Sequence, residues 1–301
     1  GSRANAPIQT SSVTPVICLT RTRSPKLNSP WRSRACAVSA ATGNLAPSVD
    51  AGAAFTIPKQ TPFVLTGSAT DPDVDPLTYM WEEFDLGTAA PPNDDVAATR
   101  PIFRSFVPLA APTRTFPRLA DILGNVATLG ESMSTRNRTM TFRLTARDGR
   151  IGGGGVNYAS TTVTVAAAAG PFVVTAPNTA VTWSSGASES VTWNVAGTDA
   201  APISCASVTI DLSTDGGATF DTVLAASTAN DGAASVVVPA TPTAQARVRV
   251  ACVGNVFFDI SNANFAVVGG PAPPDLTAVL PTSGSEWGGT VVALTGTGFV
   301  D

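Results

Sequence analysis

The stretch Ala246-Arg-Val-Arg-Val-Ala-Cys252 decides the fold, because apolar and polar side chains alternate along it. Successive strand residues point to opposite faces, so Val248, Val250 and Cys252 lie on one face of a β-strand. The same alternation recurs at positions 191, 193 and 195 and at 208, 210 and 212, with further apolar runs at 236–238 and 256–260. Runs at this spacing predict a β-sandwich over residues 170–268.

A second series of short strands precedes this sandwich. Two strands are predicted within residues 54–69, and a third carries Leu77, Tyr79 and Trp81 on one face. A fourth strand carries Phe142, Leu144 and Ala146, and the last spans 161–165. Together they predict a sandwich over residues 45–166. A long irregular insertion, residues 84–138, interrupts it and contains a short helix near 117–123. Insertions of this length usually carry function or cover a sheet edge.

Linkers rich in Ala, Gly and Pro separate the predicted domains at 166–170 and 269–275. The stretch 275–301 that follows is too short to close a sandwich of its own. We therefore expect the chain to stop inside a third module.

Composition agrees with an all-β protein. The 301 residues exceed one ordinary domain and suit two or three sandwich-sized ones. Apolar residues make up 44% and charged residues 13%, while Gly and Pro contribute 26 and 24 positions. This mixture is typical of many short strands joined by turns.

Histidine is absent from the sequence. Ser-His-Asp and Cys-His catalysis, HExxH zinc chemistry and histidine proton shuttles all need an imidazole, so this chain alone cannot perform them. Carboxylate, lysine, tyrosine and hydroxyl chemistry stay open, as does a metal held by oxygen ligands.

Charge is distributed unevenly. Residues 1–44 carry six basic side chains and no acidic one, whereas the rest of the chain carries all 22 acidic residues against 12 basic ones. A nucleic-acid contact is disfavoured, because the arm has few aromatic residues and no recognition motif follows it. Two interpretations remain. In the first, the arm docks on the acidic body or stays disordered. In the second, the arm is vector-derived or out-of-frame sequence, which the initial Gly-Ser favours.

No apolar stretch is long enough to form a membrane span, so no membrane insertion is expected. The four cysteines, Cys18, Cys36, Cys205 and Cys252, form no CxxC pair, which excludes zinc-ribbon and thioredoxin-like sites. Cys205 begins one predicted strand and Cys252 ends another. They fit either a disulfide, which would indicate an oxidising compartment, or two buried free thiols. Cys18 and Cys36 form a second candidate pair.

Three segments resemble known extracellular modules. Asn44-Leu-Ala-Pro-Ser-Val-Asp-Ala-Gly, Leu65-Thr-Gly-Ser-Ala-Thr-Asp-Pro-Asp-Val-Asp-Pro-Leu-Thr-Tyr-Met-Trp and Phe142-Arg-Leu-Thr-Ala-Arg-Asp-Gly resemble a PKD or cadherin-like immunoglobulin-type domain. Residues 170–268 resemble the second module of the tails of secreted bacterial reprolysin-like zinc metalloproteases, and 275–301 resembles the start of an IPT/TIG domain. The resemblance implies tandem immunoglobulin-like sandwiches, a secreted or cell-surface bacterial location, and a catalytic domain lying upstream.

The stretch Asp71-Pro-Asp-Val-Asp75 is the strongest chemical motif. Three carboxylates at alternating positions repel one another unless a hard cation neutralises them, and oxygen ligands suit Ca²⁺. The resemblance to PKD-like domains implies that Asn44 completes such a site, with Asp148 as a further candidate ligand. A solvated acidic turn is the alternative.

Three other motifs are predicted to be structural. Ser213-Thr-Asp-Gly-Gly-Ala-Thr-Phe220 resembles the Asp-box of sialidase-like propellers, and a single copy predicts a hairpin turn. Residues 152–155 lack the Lys and helix of a phosphate loop. Glu82 and Glu83 point to opposite strand faces, so they do not form an acid–base pair.

Two function classes follow. One is a non-catalytic, calcium-binding tail that contacts an extracellular protein or polysaccharide. The other is a metal-dependent hydrolase for phosphoesters or phosphotriesters, recovered as an environmental (metagenomic) clone, whose metal on the carboxylate loop would activate water. If neither holds, the insertion offers Asp94, Asp95, Asp121 and several arginines. Whether the chain is an enzyme stays open, and the tail is favoured because such sandwiches more often bind than catalyse.

Overall fold

A computed structural model describes residues 41–89, 91, 95–96, 99–270, 275–289 and 291–297. Most of the basic arm, with Cys18 and Cys36, lies outside the described residues, as does Asp94. The described residues form nineteen strands and one helix of six residues. Among the described residues, no helix is long and apolar enough to cross a bilayer.

The chain divides into two compact units. The first unit contains the described residues up to Asp121, with 126–171 and 255–257, and the second contains 122–125, 172–254 and the described residues from 258 onward. Each is built from short strands that alternate buried and exposed positions, as the sequence pattern predicts.

The first unit is a two-layer sandwich. Its strands are β1 (Ser48–Asp50), β2 (Phe55–Pro58), β3 (Phe63–Thr66), β4 (Ser68–Thr70), β5 (Thr78–Glu83), β6 (Thr113–Phe116), β7 (Arg138–Arg147) and β8 (Val156–Ala166). The helix α1 (Leu119–Gly124) follows β6, and only its residues up to Asp121 belong to this unit. One sheet has the order β2-β8-β7-β5, and the pairs β1-β4 and β3-β6 supply the opposing layer.

Four phenylalanines form the centre of this unit. Phe63, Phe103, Phe116 and Phe142 are buried, and their ring centroids lie 4.8–6.1 Å apart in stacked, edge-to-face and tilted pairs. Such aromatic pairs each contribute about 0.5–1.5 kcal/mol beyond the burial of their area. Phe103 comes from the insertion, so the insertion supplies part of the core.

The second unit repeats the arrangement. Its strands are β9 (Val173–Ala176), β10 (Thr182–Ser184), β11 (Ser188–Asn194), β12 (Ser207–Ser213), β13 (Thr222–Ala229), β14 (Ala233–Val237), β15 (Thr243–Cys252), β16 (Phe258–Ile260) and β17 (Phe265–Val268). One sheet has the order β14-β11-β9, and the other has the order β10-β17-β15-β12-β13, with β16 also paired to β15. The apolar residues of β11, β12 and β15 that alternate in the sequence are buried.

A disulfide joins Cys205 to Cys252, with a Cα–Cα distance of 6.0 Å. Cys252 ends β15 and pairs in register with Val208 of β12, so the bond ties the segment just before β12 to the end of β15. The alternative of two free thiols is not what the structure contains.

The two units share the way their first strands are connected. The first strand pairs antiparallel in one sheet, β1 with β4 and β9 with β11. The next strand crosses to the other sheet and pairs parallel with the last one, β2 with β8 and β10 with β17. Two packed sheets linked in this way define tandem immunoglobulin-like β-sandwiches, which confirms the predicted all-β fold class.

Beyond the linker, β18 (Asp275–Leu280) and β19 (Ala293–Thr297) form an antiparallel hairpin. Large apolar side chains on it, such as Leu276 and Leu294, are exposed. Two strands cannot bury a hydrophobic face by themselves, so this hairpin lacks a core of its own.

Candidate functional site

The carboxylate loop, Asp71 to Asp75, is the turn between β4 and β5. Asp71 organises it, because its Oδ1 accepts hydrogen bonds from the backbone N–H of Asp73 (2.9 Å) and of Asp75 (3.2 Å). Val74 sits at the tip with φ +62° and is 87% exposed. An aspartate side chain that binds the backbone two residues ahead is a common way to stabilise a tight turn.

The three carboxylates converge. One oxygen of each of Asp71, Asp73 and Asp75 lies within 4.8 Å of the others. The Oδ2 atoms of Asp71 and Asp75 are buried and accept no hydrogen bond from any described residue. Converging anionic oxygens without donors carry a desolvation and repulsion cost. The donor set fits a hard divalent cation such as Ca²⁺, which prefers carboxylate oxygens.

Arg150 provides the positive charge of this site. Its Nη1 lies 3.5 Å from Asp75 Oδ2 and 3.9 Å from Asp73 Oδ2, and its side chain is 41% exposed. Exposed ion pairs of this length contribute little to stability, typically about 0–1 kcal/mol. The guanidinium therefore compensates the cluster weakly and competes with any cation that binds there.

Asn44 lies in the same neighbourhood. Its Nδ2 donates to Asp148 Oδ2 (2.6 Å) and to the carbonyl of Gly153 (3.1 Å), while its Oδ1 accepts a bond from Arg150 (3.2 Å). The adjacent backbone N–H of Leu45 donates to Asp73 Oδ2 at 2.7 Å. The structure thus brings the segment before β1 to the carboxylate loop, with the Asn44 amide turned toward Asp148.

Asp148 closes the Gly-rich turn at residues 149–155. Its carboxylate accepts bonds from the backbone N–H of Gly155 (2.8 Å to each oxygen) and of Arg150 (3.1 Å). Burial raises the pKa of Asp148, but the bonds from Asn44, Arg150 and Gly155 outweigh it and hold that pKa below its usual value. A Cβ at Gly155 would lie 2.7 Å from the carboxylate and from the Ala46 backbone, so glycine is required there.

The Asp-box segment of the second unit is a hairpin turn. Asp215 accepts bonds from the Ser213 hydroxyl (2.6 Å) and from the backbone N–H of Thr219 (3.0 Å). These bonds, with the Ser213 bond the strongest influence, lower the pKa of Asp215 to about 2. The carboxylate therefore stays ionised as a fixed acceptor within the turn.

A buried ion network in the first unit was not predicted from the sequence. Arg138 Nη2 lies 3.0 Å from Glu83 Oε1, and both side chains are 0% exposed. Glu83 Oε2 accepts bonds from the backbone N–H of Ile102 (2.7 Å) and Phe103 (2.9 Å). Burial raises the pKa of Glu83 to about 7 against the lowering effect of these bonds. The network fastens the insertion to β5 and β7.

The acids of the insertion are paired with arginines. Asp95 Oδ1 lies 3.2 Å from Arg138 Nη1, and Asp121 Oδ1 lies 2.8 Å from Arg118 Nη2. Glu131, a further acid, lies 2.7 Å from Arg114. The predicted gathering of acids and arginines is present for Asp95 and Asp121, but in separate ion pairs. The Arg118–Asp121 pair is local, three residues apart, whereas the Asp95–Arg138 and Glu131–Arg114 pairs join residues 43 and 17 positions apart, a distance that no local pattern indicates.

The first unit also contains an apolar pocket of about 340 Å³, open at the surface. Tyr79 and Trp81 of β5, Phe106 and Leu109 of the insertion, and Arg114 of β6 contribute to its walls. None of its lining residues belongs to the carboxylate loop. The pocket and the loop are therefore separate sites.

No family model matches the chain, and no curated protein matches it. Among solved structures it is similar to titin domains Z1Z2 in complex with telethonin, with 13% identity, 75% of this chain and 98% of that chain covered, and a TM-score of 0.23. It is also similar to chicken CNTN1 domains FN1–FN3, with 14% identity, 73% of this chain and 66% of that chain covered, and a TM-score of 0.27. For a structure on Dscam isoform specificity the identity is 10%, the coverage is 75% of this chain and 47% of that chain, and the TM-score is 0.23. At TM-scores this low, the similarity adds nothing to the fold that the strand order defines.

Proposed function

We propose that this chain is a non-catalytic pair of immunoglobulin-like modules that binds Ca²⁺ at the carboxylate loop. The observation that supports this function most directly is the convergence of three carboxylates, two of which keep a buried oxygen that accepts no hydrogen bond, with only the 3.5 Å ion pair to Arg150 at Asp75. A divalent cation would satisfy these oxygens and remove their mutual repulsion.

In this proposal Asp71, Asp73 and Asp75 hold the ion, and Asn44 and Asp148 position the chain around it. Asp71 has two tasks, since Oδ1 fixes the turn while Oδ2 faces the cation. Arg150 competes with the ion, because its guanidinium and the cation repel each other beside the same carboxylate oxygens. Binding would stiffen the β4–β5 turn together with the Gly-rich turn that Asp148 closes.

We further propose that the modules belong to the tail of a secreted bacterial metalloprotease and contact a protein substrate or a polysaccharide surface. The support is the sequence resemblance of residues 44–166, 170–268 and 275–301 to such tails. The Cys205–Cys252 disulfide agrees with an oxidising, extracellular compartment.

The hydrolase alternative is less well supported. A metal-activated water needs a substrate pocket beside it, and the pocket described above shares no residue with the carboxylate loop. The acids Asp95 and Asp121 of the insertion are engaged with arginines.

Calorimetric melting of the full chain in CaCl₂ and in excess EDTA tests the calcium proposal. We expect Ca²⁺ to raise the melting temperature of the first unit, because a ligand that binds only the folded state stabilises it by about 2.7 kcal/mol at a hundredfold excess over its Kd. Asp71→Asn keeps the Oδ1 acceptor of the turn and should abolish the shift. Arg150→Gln should shift the Ca²⁺ titration to lower concentration, since a competitor is removed.

Asp199→Asn is the matched control, because Asp199 is an exposed carboxylate of the second unit. It should leave the calcium shift unchanged. Identical melting in Ca²⁺ and EDTA would mean that the loop is a solvated acidic turn. In the same samples we expect no turnover of phosphoester or peptide substrates; chelator-sensitive hydrolysis lost in Asp73→Ala would favour the hydrolase instead.

A further inference from the structure

The apolar pocket of the first unit has the dimensions and chemistry of a small-molecule site. Its volume of about 340 Å³ falls within the usual range for ligand pockets, about 300–1,000 Å³. It lies between the edge of β5 and β6, where the insertion crosses, and Tyr79 bonds to Leu109 through both backbone groups (2.7 and 2.9 Å). This pairing fixes the insertion segment as one wall.

The walls are held in place by the surrounding structure. Trp81 donates its indole N–H to the carbonyl of Pro112 (2.9 Å), and Arg114 donates to the carbonyl of Trp81 (2.7 Å). The guanidinium of Arg114 also lies 4.2 Å from the centroid of the Phe116 ring. A pocket with restrained walls does not need to be ordered when a ligand enters, which favours binding.

Positive charge gathers around Phe106, one of the residues that line the pocket. The guanidinium carbons of Arg104, Arg114 and Arg118 lie 4.7, 4.8 and 5.2 Å from the centroid of the Phe106 ring. Glu131 pairs with Arg114 and Asp121 pairs with Arg118. Arg104 is exposed and forms no ion pair within the described part of the chain. Arg104 does not line the pocket itself, but its charge lies beside the ring of Phe106, which does.

This local charge is opposite to that of the whole chain, which has a formal net charge of -4. It also distinguishes between possible occupants. The basic arm, with six basic residues and no acidic one in positions 1–44, would be repelled. An anion would be attracted, and a guanidinium forms strong charge-assisted bonds with a carboxylate.

The geometry points to a small organic acid as the ligand of this pocket: an aromatic or branched aliphatic group occupies the apolar lining, which includes Trp81 and Leu109, and its carboxylate faces the arginines around Phe106, with Arg118 in the lining and Arg104 beside it. Arg118, whose side chain is 40% exposed, uses Nε and Nη2 for Asp121, and its Nη1 makes no hydrogen bond with any described residue. The inference is independent of calcium, because the two sites share no residue.

Two probes of the same shape and different charge test this assignment at pH 7.5: 4-phenylbutyrate and 4-phenylbutan-1-ol. Titration of the full chain labelled with ¹⁵N at tryptophan reports binding through the Trp81 indole N–H. We expect the acid to bind about tenfold or more tightly than the alcohol, which is the usual gain from a charge-assisted bond.

Arg104→Gln should reduce the affinity for the acid to that for the alcohol. Ala111→Trp, at an exposed lining position, should fill the pocket and weaken both probes. Arg136→Gln, at an exposed arginine away from the pocket, is the control and should change neither affinity. Equal affinities of the two probes for the unmodified chain would overturn the assignment, as would binding of the acid that persists in Ala111→Trp with an unchanged melting temperature.

Discussion

The two sandwiches share the parallel pairing of an early strand with the last one, and they differ in what holds their sheets together. The first unit contains a cluster of four phenylalanines and a buried ion network around Arg138. The second unit contains the Cys205–Cys252 disulfide and a neutral network in which Asn230 accepts the indole N–H of Trp193 (2.8 Å) and donates to the Cys205 carbonyl (2.9 Å).

The difference follows from the insertion. In the first unit a long segment must be attached to the sandwich. Ile102 and Phe103 of this segment are buried in the core, and their backbone N–H groups donate hydrogen bonds to Glu83. A buried carboxylate then requires a buried cation, which Arg138 supplies. The second unit has shorter connections, and a covalent bond restrains them. The same fold thus tolerates two means of stabilisation.

The largest effect is expected from Arg138→Ala. This change leaves Glu83 buried without its cation and removes the donors to Asp95 and to the Arg100 carbonyl. Breaking a buried pair from one side typically costs about 3–5 kcal/mol. Urea unfolding followed by hydrogen exchange of β7 and β8 should report the loss in the first unit, with the second unit unaffected.

Arg136→Ala is the control for this change, because it removes an exposed arginine two residues earlier. It should alter the free energy of unfolding by less than about 0.5 kcal/mol. A loss equally small in Arg138→Ala would show that the network does not hold the insertion.

A somewhat smaller effect is expected when Cys205 and Cys252 are both replaced by alanine. A disulfide that closes a loop of 47 residues stabilises a domain by about 2–4 kcal/mol, mainly by restricting the unfolded chain. Hydrogen exchange should show faster opening of β12 and β15 and unchanged exchange in the first unit. Reduction of the unmodified chain by dithiothreitol should reproduce the result; equal loss in both units would contradict separate stabilisation.

The smallest effect is a pH dependence specific to the second unit. Asp259 of β16 accepts a bond from the Val174 N–H of β9 (2.7 Å), and burial raises its pKa from 3.8 to about 7. The folded state therefore holds the Asp259 proton more tightly than the unfolded state does. The protonated side chain contributes fully to the free energy of unfolding below about pH 4, and this contribution is lost as the pH rises through about 7. We expect the free energy of unfolding to fall by about 2 kcal/mol between pH 5 and 7.

Asp259→Asn should remove this slope while leaving the pH dependence of the first unit unchanged. Protection of β9 from hydrogen exchange, measured at pH 5 and pH 7 and corrected for intrinsic exchange, is the appropriate readout. A slope that persists in the variant would assign the effect to another group.

Strands with strict alternation were predictable from the sequence. Val208, Ile210 and Leu212 are buried on β12, as are Phe142 and Leu144 on β7, because a period of two needs no knowledge of the partner strand. The short helix near 117–123 was also predictable, and it is observed as Leu119–Gly124. Its first residues follow Pro117, and proline is compatible with the beginning of a helix.

The interior of the insertion was not predictable. Glu83 was correctly expected to face away from Glu82, but its partner Arg138 lies 55 residues later, and no local period indicates that distance. Phe103 and Phe106 lie in irregular backbone, where burial has no periodic signature. The carboxylate loop was visible because its three acids are neighbours in sequence, whereas the role of Arg150 required the folded chain.

The parallel pairing of β2 with β8 and of β10 with β17 has a mechanical consequence. Tension along the chain draws an early strand and a late, parallel neighbour in opposite directions along their common axis. Their hydrogen bonds are then loaded together in shear, whereas an antiparallel hairpin pulled from its open end separates one bond at a time. When a sandwich is stretched between its ends, several hydrogen bonds must therefore break together. The rate of this concerted rupture determines the resistance of the sandwich to forced unfolding.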